Sequence, residues 1–407
     1  MPTPVQDVRR LHRRLVLRAL RDHGPQPRAE LARRLGLSPT TMTKVVGQLL
    51  DEGLVAEGAT DGAGTRVGRP STEVRLRTGA RHVIGVQVGA GTVRLGRCDL
   101  KARPLEVRSF AFDLAGEPPE RVVARIADAA AALAGDRLLG IGVAAPGPVD
   151  AGQRRNVLSV NLGWRDVAFA DPLERALGVP AVVDHNVRAM ALAEARYGDT
   201  GGADPLLYVY VRTGVGAGLV IGGQPFRSGA HGVTELGHLK VVELGLPCAC
   251  GANGCLETVA AEPYLAERAR ALLGRDSADP LTDLAEAAYG GGGRATGGDG
   301  GGGEGGGGEG AAGGRDERAA AVLEELVDHL ATGLASAVNL LNPALILLGG
   351  AFRTAPEPVF DLVRDALRAK AFPVLRDAVQ VRRATLGPDA GVVGSAAVAL
   401  DRLFYDV

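Results

Sequence analysis

The chain has 407 residues, 46% of them hydrophobic, and a formal net charge of −1. A chain of that length can bury two or three hydrophobic cores. No apolar run reaches the roughly 20 residues of a membrane span, and the opening stretch MPTPVQDVRRLHRR lacks the apolar core of a secretory signal, so a cytoplasmic protein is expected. Four cysteines are too few for a disulfide framework at this length, and three of them are clustered, a pattern that in the cytosol more often serves a metal.

The charge is unevenly spread. Residues 1–80 carry 14 basic and 8 acidic side chains, a balance of +6, while the rest carry 32 against 39, a balance of −7. A basic head on an acidic body points to nucleic acid as the head's partner; a solvated basic helix face would look the same by charge alone.

Residues 5–23 place Val8, Leu11, Leu15 and Leu20 at helical spacing, and GPQP at 24–27 ends that helix. A short second helix, RAELARRLGL, is followed by SPTTMTKVVGQLLDEGLV, with Ser38 as N-cap and Pro39 in the first turn. Small Ala32, turn-forming Gly36, and Met42 and Val45 packing back with Leu31, Leu35 and Leu37 give the spacing of a helix-turn-helix. Ser38, Thr40, Thr41, Thr43, Lys44 and Gln48 then fall on or near the open side of the second helix, where polar groups reach base edges and phosphates of double-stranded DNA. Two short strands, Val55–Glu57 and Thr72–Leu76, flank a Gly-rich loop and read as a wing. Arg66 and Arg69 lie at its tip, placed to clamp phosphates or enter a minor groove.

From residue 82 the pattern becomes strands and Gly-rich turns alternating with helices, which indicates an α/β body with sites at strand ends. Five segments, IGVAAPGPVD, NLGW, GVTELGH, CACGANGCLE and LLGG, in this order and spacing, resemble the ROK family of repressors, open reading frames and kinases. A winged helix-turn-helix ahead of such a body is similar to the repressor branch, typified by the xylose and N-acetylglucosamine repressors. The resemblance implies a winged helix-turn-helix domain over 1–80. It also implies a two-lobed, actin-like (ribonuclease H-like) sugar-kinase-type body over 81–407, with a sugar cleft.

Phosphoryl transfer to a sugar hydroxyl needs a carboxylate base and a phosphate-binding turn. In the family's kinases the first turn carries an aspartate where this chain has Gln87, and the base aspartate corresponds to Asn186 in DHNVR. A carboxamide has no useful basicity. A one-residue shift in the alignment would instead put Asp184 nearer the base position. The resemblance assigns sugar contacts to Glu235, His238 and Glu257, and also to His185 and Asn186; Asn161 in NLGW is placed to line the same cleft. The reading is a sugar-responsive transcriptional regulator, a repressor of carbohydrate-metabolism genes, and not an enzyme. Its partners are an operator duplex and a sugar or sugar phosphate, with no membrane involved. It forms a homodimer or homotetramer, since paired heads read paired half-sites. A sugar kinase with an appended DNA-binding head is the alternative, and a constitutive DNA binder with an oligomerising body is another.

Cys248, Cys250 and Cys255 with His238 form a Cys₃His set suited to tetrahedral zinc; four protein ligands leave no open position, which makes the role structural. Cys98, on an apolar strand, reads as a core residue. Residues 290–314 hold 17 glycines in 25 positions and read as a disordered loop. The long amphipathic stretch Asp316–Pro343 could pack between lobes or between subunits.

Overall fold

A computed structural model describes residues 4–59, 72–227, 229–232, 234–290 and 316–406, with backbone only at 4–6 and 59. Arg66, Arg69 and all but the first residue of the Gly-rich tract lie outside the described residues. The chain divides into two compact units, one formed by 1–198, 225–233 and 386–407, the other by 199–224 and 234–385.

The first unit opens with α1 (Pro4–His23), the short strand β1 (Gln26–Pro27), α2 (Arg28–Leu35), α3 (Pro39–Asp51), β2 (Val55–Ala59) and β3 (Thr72–Leu76). β3 pairs antiparallel with both β1 and β2, so the segment read as a helix breaker also supplies the third strand of the wing sheet. Gly36 takes φ 64° at the C-terminus of α2, the left-handed conformation that suits a residue without Cβ. Leu31, Ala32, Met42, Val45, Val46 and Leu49 are buried between the helices. The α1 stripe differs from expectation: Val8 and Leu11 are 50% and 48% exposed, and the buried face is Val16, Leu17, Ala19 and Leu20. An eight-residue α2 is too short to cover the first turns of a 20-residue α1, so only the second half of α1 meets the core.

The sheet that follows comprises β4 (His82–Gly89), β5 (Thr92–Cys98), β6 (Pro104–Ala111), β7 (Leu138–Ala145) and β10 (Ala181–His185), in the order β10-β7-β4-β5-β6. β4, β5 and β6 run as an antiparallel meander, whereas β7 lies parallel to both β4 and β10. Between them come α4 (Pro119–Ala131), the hairpin β8 (Arg155–Ser159) and β9 (Trp164–Ala168), and α5 (Ala170–Leu177); α6 (Asn186–Tyr197) follows β10 directly. The helix Ala390–Leu400 returns from the far end of the sequence to cover the sheet. Gly142 is where it comes closest: a Cβ there would stand 2.0 Å from the Ser395 carbonyl oxygen. Cys98 is fully buried in this core, as a small apolar residue would be, and burial pushes its thiol up to about 12.

The second unit repeats the plan of a hairpin followed by parallel strands. β11 (Leu206–Val211) and β12 (Val215–Ile221) pair antiparallel, then Leu345–Gly350 lies parallel to β11 and Gln380–Arg383 parallel to Leu345–Gly350. The helix Glu317–Leu341 is a 25-residue rod, capped by Asp316. One face of it, including Leu323, Leu326, Leu330 and Leu334, joins the core of this unit, so packing within the unit accounts for that stripe. Among the described residues no helix is long and apolar enough to cross a membrane.

Candidate functional site

Three groups of side chains carry chemistry. The first is on α3. Ser38 Oγ accepts a hydrogen bond from Thr41 N at 3.1 Å, satisfying one of the free N–H groups that every helix start leaves open. Thr41 Oγ1 lies 2.9 Å from Ser38 Oγ and is half-buried, so it completes the cap. Thr40, Thr43, Lys44 and Gln48 are exposed, while Met42, Val45, Val46 and Leu49 point into the core. The helix thus has one apolar face that fixes it and one polar face free to meet a ligand.

The second is the turn joining β10 to α6. His185 caps α6 and is 4% exposed, with no hydrogen-bond partner for Nδ1 among the described residues; Asn186 begins the helix, half-buried, and its Oδ1 accepts from Val187 N at 2.8 Å. Burial first, then the neighbouring Arg188 charge, push the His185 imidazole down to about 4 against the opposing pull of Asp184, so it is neutral near pH 7. Asp184 is almost fully buried and saturated. It accepts from His185 N at 2.7 Å, from Arg188 Nε at 2.7 Å and from Arg227 Nη2 at 2.9 Å, and Arg188 Nη2 also donates to it. Its oxygens are thus taken up by two guanidiniums and a backbone N–H, which leaves them engaged within the fold. Gln87, in β4, lies against the backbone of Gly391, where a Cβ would stand 2.2 Å from its Cδ. Asn161 is exposed, in a short 3₁₀ turn Val160–Leu162.

The third is in the second unit. Glu235 precedes the 3₁₀ turn Leu236–His238, and a Cβ on Gly237 would stand 2.0 Å from the Val215 carbonyl oxygen, so the turn sits hard against β12. The Pro247–Glu257 loop folds on itself through Cys248 N to Ala252 O at 2.7 Å and Gly254 N to Leu246 O at 2.9 Å. Gly254 takes φ 76° with Val242 O 1.8 Å from where a Cβ would be, which leaves room for no other residue. The ligand atoms of His238, Cys248, Cys250 and Cys255 all lie within 4.8 Å of one another. Cys248 Sγ is 3.7 Å from His238 Nδ1, and Cys250 Sγ is 3.7 Å from Cys255 Sγ. A tetrahedron with metal–sulfur bonds of about 2.3 Å has edges of about 3.8 Å, so the set fits an ion of that geometry. Glu257 joins it from the edge: Oε1 is 3.6 Å from Cys248 Sγ and Oε2 accepts from Val215 N at 3.3 Å.

Residues 83–402 match the ROK family. The chain belongs to the ROK family. Residues 13–57 also match the MarR family, over the three-helix head. This ROK chain is similar over nearly its whole length to the DNA-binding transcriptional repressor Mlc of Escherichia coli, 27% identical with 99% of this chain and 96% of that protein aligned. Similarity to the DNA-binding transcriptional dual regulator NagC of E. coli is 27% identity, covering 93% and 90%. A crystal structure of a ROK transcriptional regulator, an Mlc homologue, superposes with TM-score 0.78 over 98% of this chain and 97% of that one, at 24% identity, which speaks to the fold. A ROK glucokinase from Streptomyces griseus, in complex with glucose and AMPPNP, superposes with TM-score 0.63 at 28% identity, over 79% of this chain and 99% of that one. The kinase thus accounts for less of the chain than the full-length regulators do. The family carries a winged helix-turn-helix head here on an actin-like α/β body.

Sequence reading passed over Arg188 and Arg227 on Asp184. Arg188 stands four residues after Asp184, a spacing visible in the sequence, but Arg227 reaches the same carboxylate from 43 positions away, which no local pattern reveals.

Proposed function

We propose that this ROK protein is a sugar-responsive transcriptional regulator that represses carbohydrate-metabolism genes. The division of labour is a DNA-binding head over 1–80 and a sensing body over 81–407. The observation that carries the reading is an α3 capped by Ser38 with Thr40, Thr43, Lys44 and Gln48 exposed, ahead of a body of sugar-kinase type. Operator contacts are assigned to these four, to Ser38 and Thr41 at the helix start, and to Arg66 and Arg69 of the wing. Contacts to sugar hydroxyls are assigned to Asn161, His185 and Asn186 and to Glu235, His238 and Glu257. The effector is a sugar or sugar phosphate, and the working form is a homodimer or homotetramer in the cytoplasm, so that two heads engage two half-sites.

Phosphoryl transfer is not part of this function. Asn186 stands where a base is needed and cannot take a proton, and Asp184, two residues earlier, is occupied by Arg188 and Arg227. The Cys₃His set would hold structural zinc through His238 Nδ1 and the three thiolates, which would leave Nε2 of the same ring to donate to a ligand hydroxyl. Bound there, zinc would supply cross-linking of the loop. The chain's own residues do the recognising.

The test is fluorescence anisotropy of the full chain on the duplex upstream of its own gene, with sugars and sugar phosphates titrated in. Release from DNA by one of them is the expected result. DNA binding that no sugar alters would leave the body as an oligomerising module and end the sensor reading.

A further inference from the structure

Two arginines from different parts of the first unit share one carboxylate. Arg21 of α1 places Nη1 2.8 Å from Asp401 Oδ1, and Arg196 of α6 places Nη1 2.9 Å from the same oxygen and Nη2 2.8 Å from Oδ2. The side chains are 5%, 9% and 14% exposed for Arg21, Arg196 and Asp401, so little water competes with these contacts. Arg21 is gripped further: its guanidinium lies 4.5 Å over the Tyr405 ring, and Tyr405 Oη donates to Leu100 O at 2.6 Å. Arg18, one turn earlier on α1, pairs with Asp406.

α6 begins at the His185–Asn186 turn and ends at Tyr197, and its twelve residues span about 18 Å. Val187 to Glu194 are all buried, so the helix has no slack along its length. It crosses the helix Ala390–Leu400 closely: a Cβ on Gly394 would stand 2.2 Å from Ala189 O. The latter helix runs directly into the turn that bears Asp401. On the other side, α1 packs on α3 through the core that holds Leu17, Leu20, Met42, Val46 and Leu49. A shift of α6 along its axis is therefore felt at Asp401, and through it at Arg21 of the head, because packed elements shift as bodies rather than deform.

We propose that Asp401 is a coupling residue: it positions α1, and with it α3, according to where α6 lies. The proposal rests on the reading above that the His185–Asn186 turn meets the effector and α3 meets DNA. Bidentate Arg196 registers α6, and Oδ1, shared by both guanidiniums, passes that register to Arg21. Coupling between two sites is reciprocal, so DNA on the head must be felt at the start of α6 without any effector present.

The experiment uses that reciprocity and needs no knowledge of the effector. Hydrogen exchange of the full chain is measured with and without a saturating duplex from upstream of its own gene. In the wild type, protection of amides in 186–190 should change about 5-fold or more on DNA binding. Arg196→Gln leaves the Arg21–Asp401 pair intact, so the head should still bind the duplex, but the change at 186–190 should vanish. Arg196→Lys, which keeps one charged contact, should show a reduced change and covers the case in which the glutamine variant fails to fold. A role in stability alone would lower the urea midpoint of these variants and leave the DNA-induced change in place, and that result overturns the proposal. So does a wild type that binds DNA with no change at 186–190. A wild type that binds no duplex removes the DNA reading of the head, and the coupling with it.

Discussion

His238 Nδ1 faces two partners at once, Cys248 Sγ at 3.7 Å and Glu257 Oε1 at 4.0 Å. One ring nitrogen is thus turned into the cysteine cluster. Metal analysis of the purified protein should find about one zinc per chain, and Cys250→Ser should lose it. Loss should lower stability by at least about 2 kcal/mol, since the loop's turns have little apolar packing to replace the cross-link. Leu244 and Leu246, just ahead of the loop, are 97% and 51% exposed, in keeping with that. Chelation that strips zinc without moving the melting temperature would contradict a structural role.

The neutral, buried His185 sets a pH dependence. Its folded pKa, near 4, lies below the ordinary value of 6.5, so below pH 6.5 the unfolded chain binds a proton that the folded one refuses. Stability should therefore be unaffected above about pH 7 and fall as pH drops from 6.5 towards 4, by up to about 3 kcal/mol. Urea unfolding of His185→Gln beside the wild type isolates this histidine from the Cys₃His set, which would also lose a bound metal in acid. The variant's curve should be flatter over that window; two parallel curves would mean that His185 is not buried as described.

Lys44 is exposed on α3 and contributes a charge rather than packing. Lys44→Ala should weaken DNA binding about 5- to 10-fold at low salt, on all sequences alike, and reduce the salt slope by about 1. Ser38→Ala should act differently. It removes the acceptor for Thr41 N and should cost about 1 kcal/mol of stability in the absence of DNA. Equal behaviour of both variants in a DNA-free melt would count against this division of roles.

Asn186→Asp puts a carboxylate at the position assigned above to the base, yet it should not create a kinase. Gln87, in β4, still lies against Gly391 where the family's kinases carry an aspartate. A coupled nucleotide assay over a panel of hexoses should stay at background for wild type and variant. Turnover in the variant alone would show that one residue separates sensing from catalysis.

Much of the head was legible in the sequence because its signals are local: Ser38 and Pro39 at one helix start, Gly36 at the preceding helix end. Chemically unusual residues in close sequence, such as the three cysteines, announced the Cys₃His cluster in the same way. The α1 stripe misled, because Val8 and Leu11 have the right period but lie beyond the reach of a short α2. The charged networks were invisible for a different reason. Arg21 and Asp401 are separated by 380 positions, and only the return of Ala390–Leu400 to the first sheet brings them together.

That return has a consequence for how the chain is made. Glu194 accepts a hydrogen bond from Leu386 N across 192 positions, and the helix that follows Leu386 covers a sheet whose strands all precede residue 186. At about 5–20 residues per second, the ribosome delivers that helix roughly 10–40 s after α6. During that interval the head can form its own small core, but the carboxylate that clamps Arg21 and Arg196 does not yet exist. A nascent chain thus carries the head before it carries the carboxylate that ties α1 to α6, and the first unit closes only after the second has been synthesised.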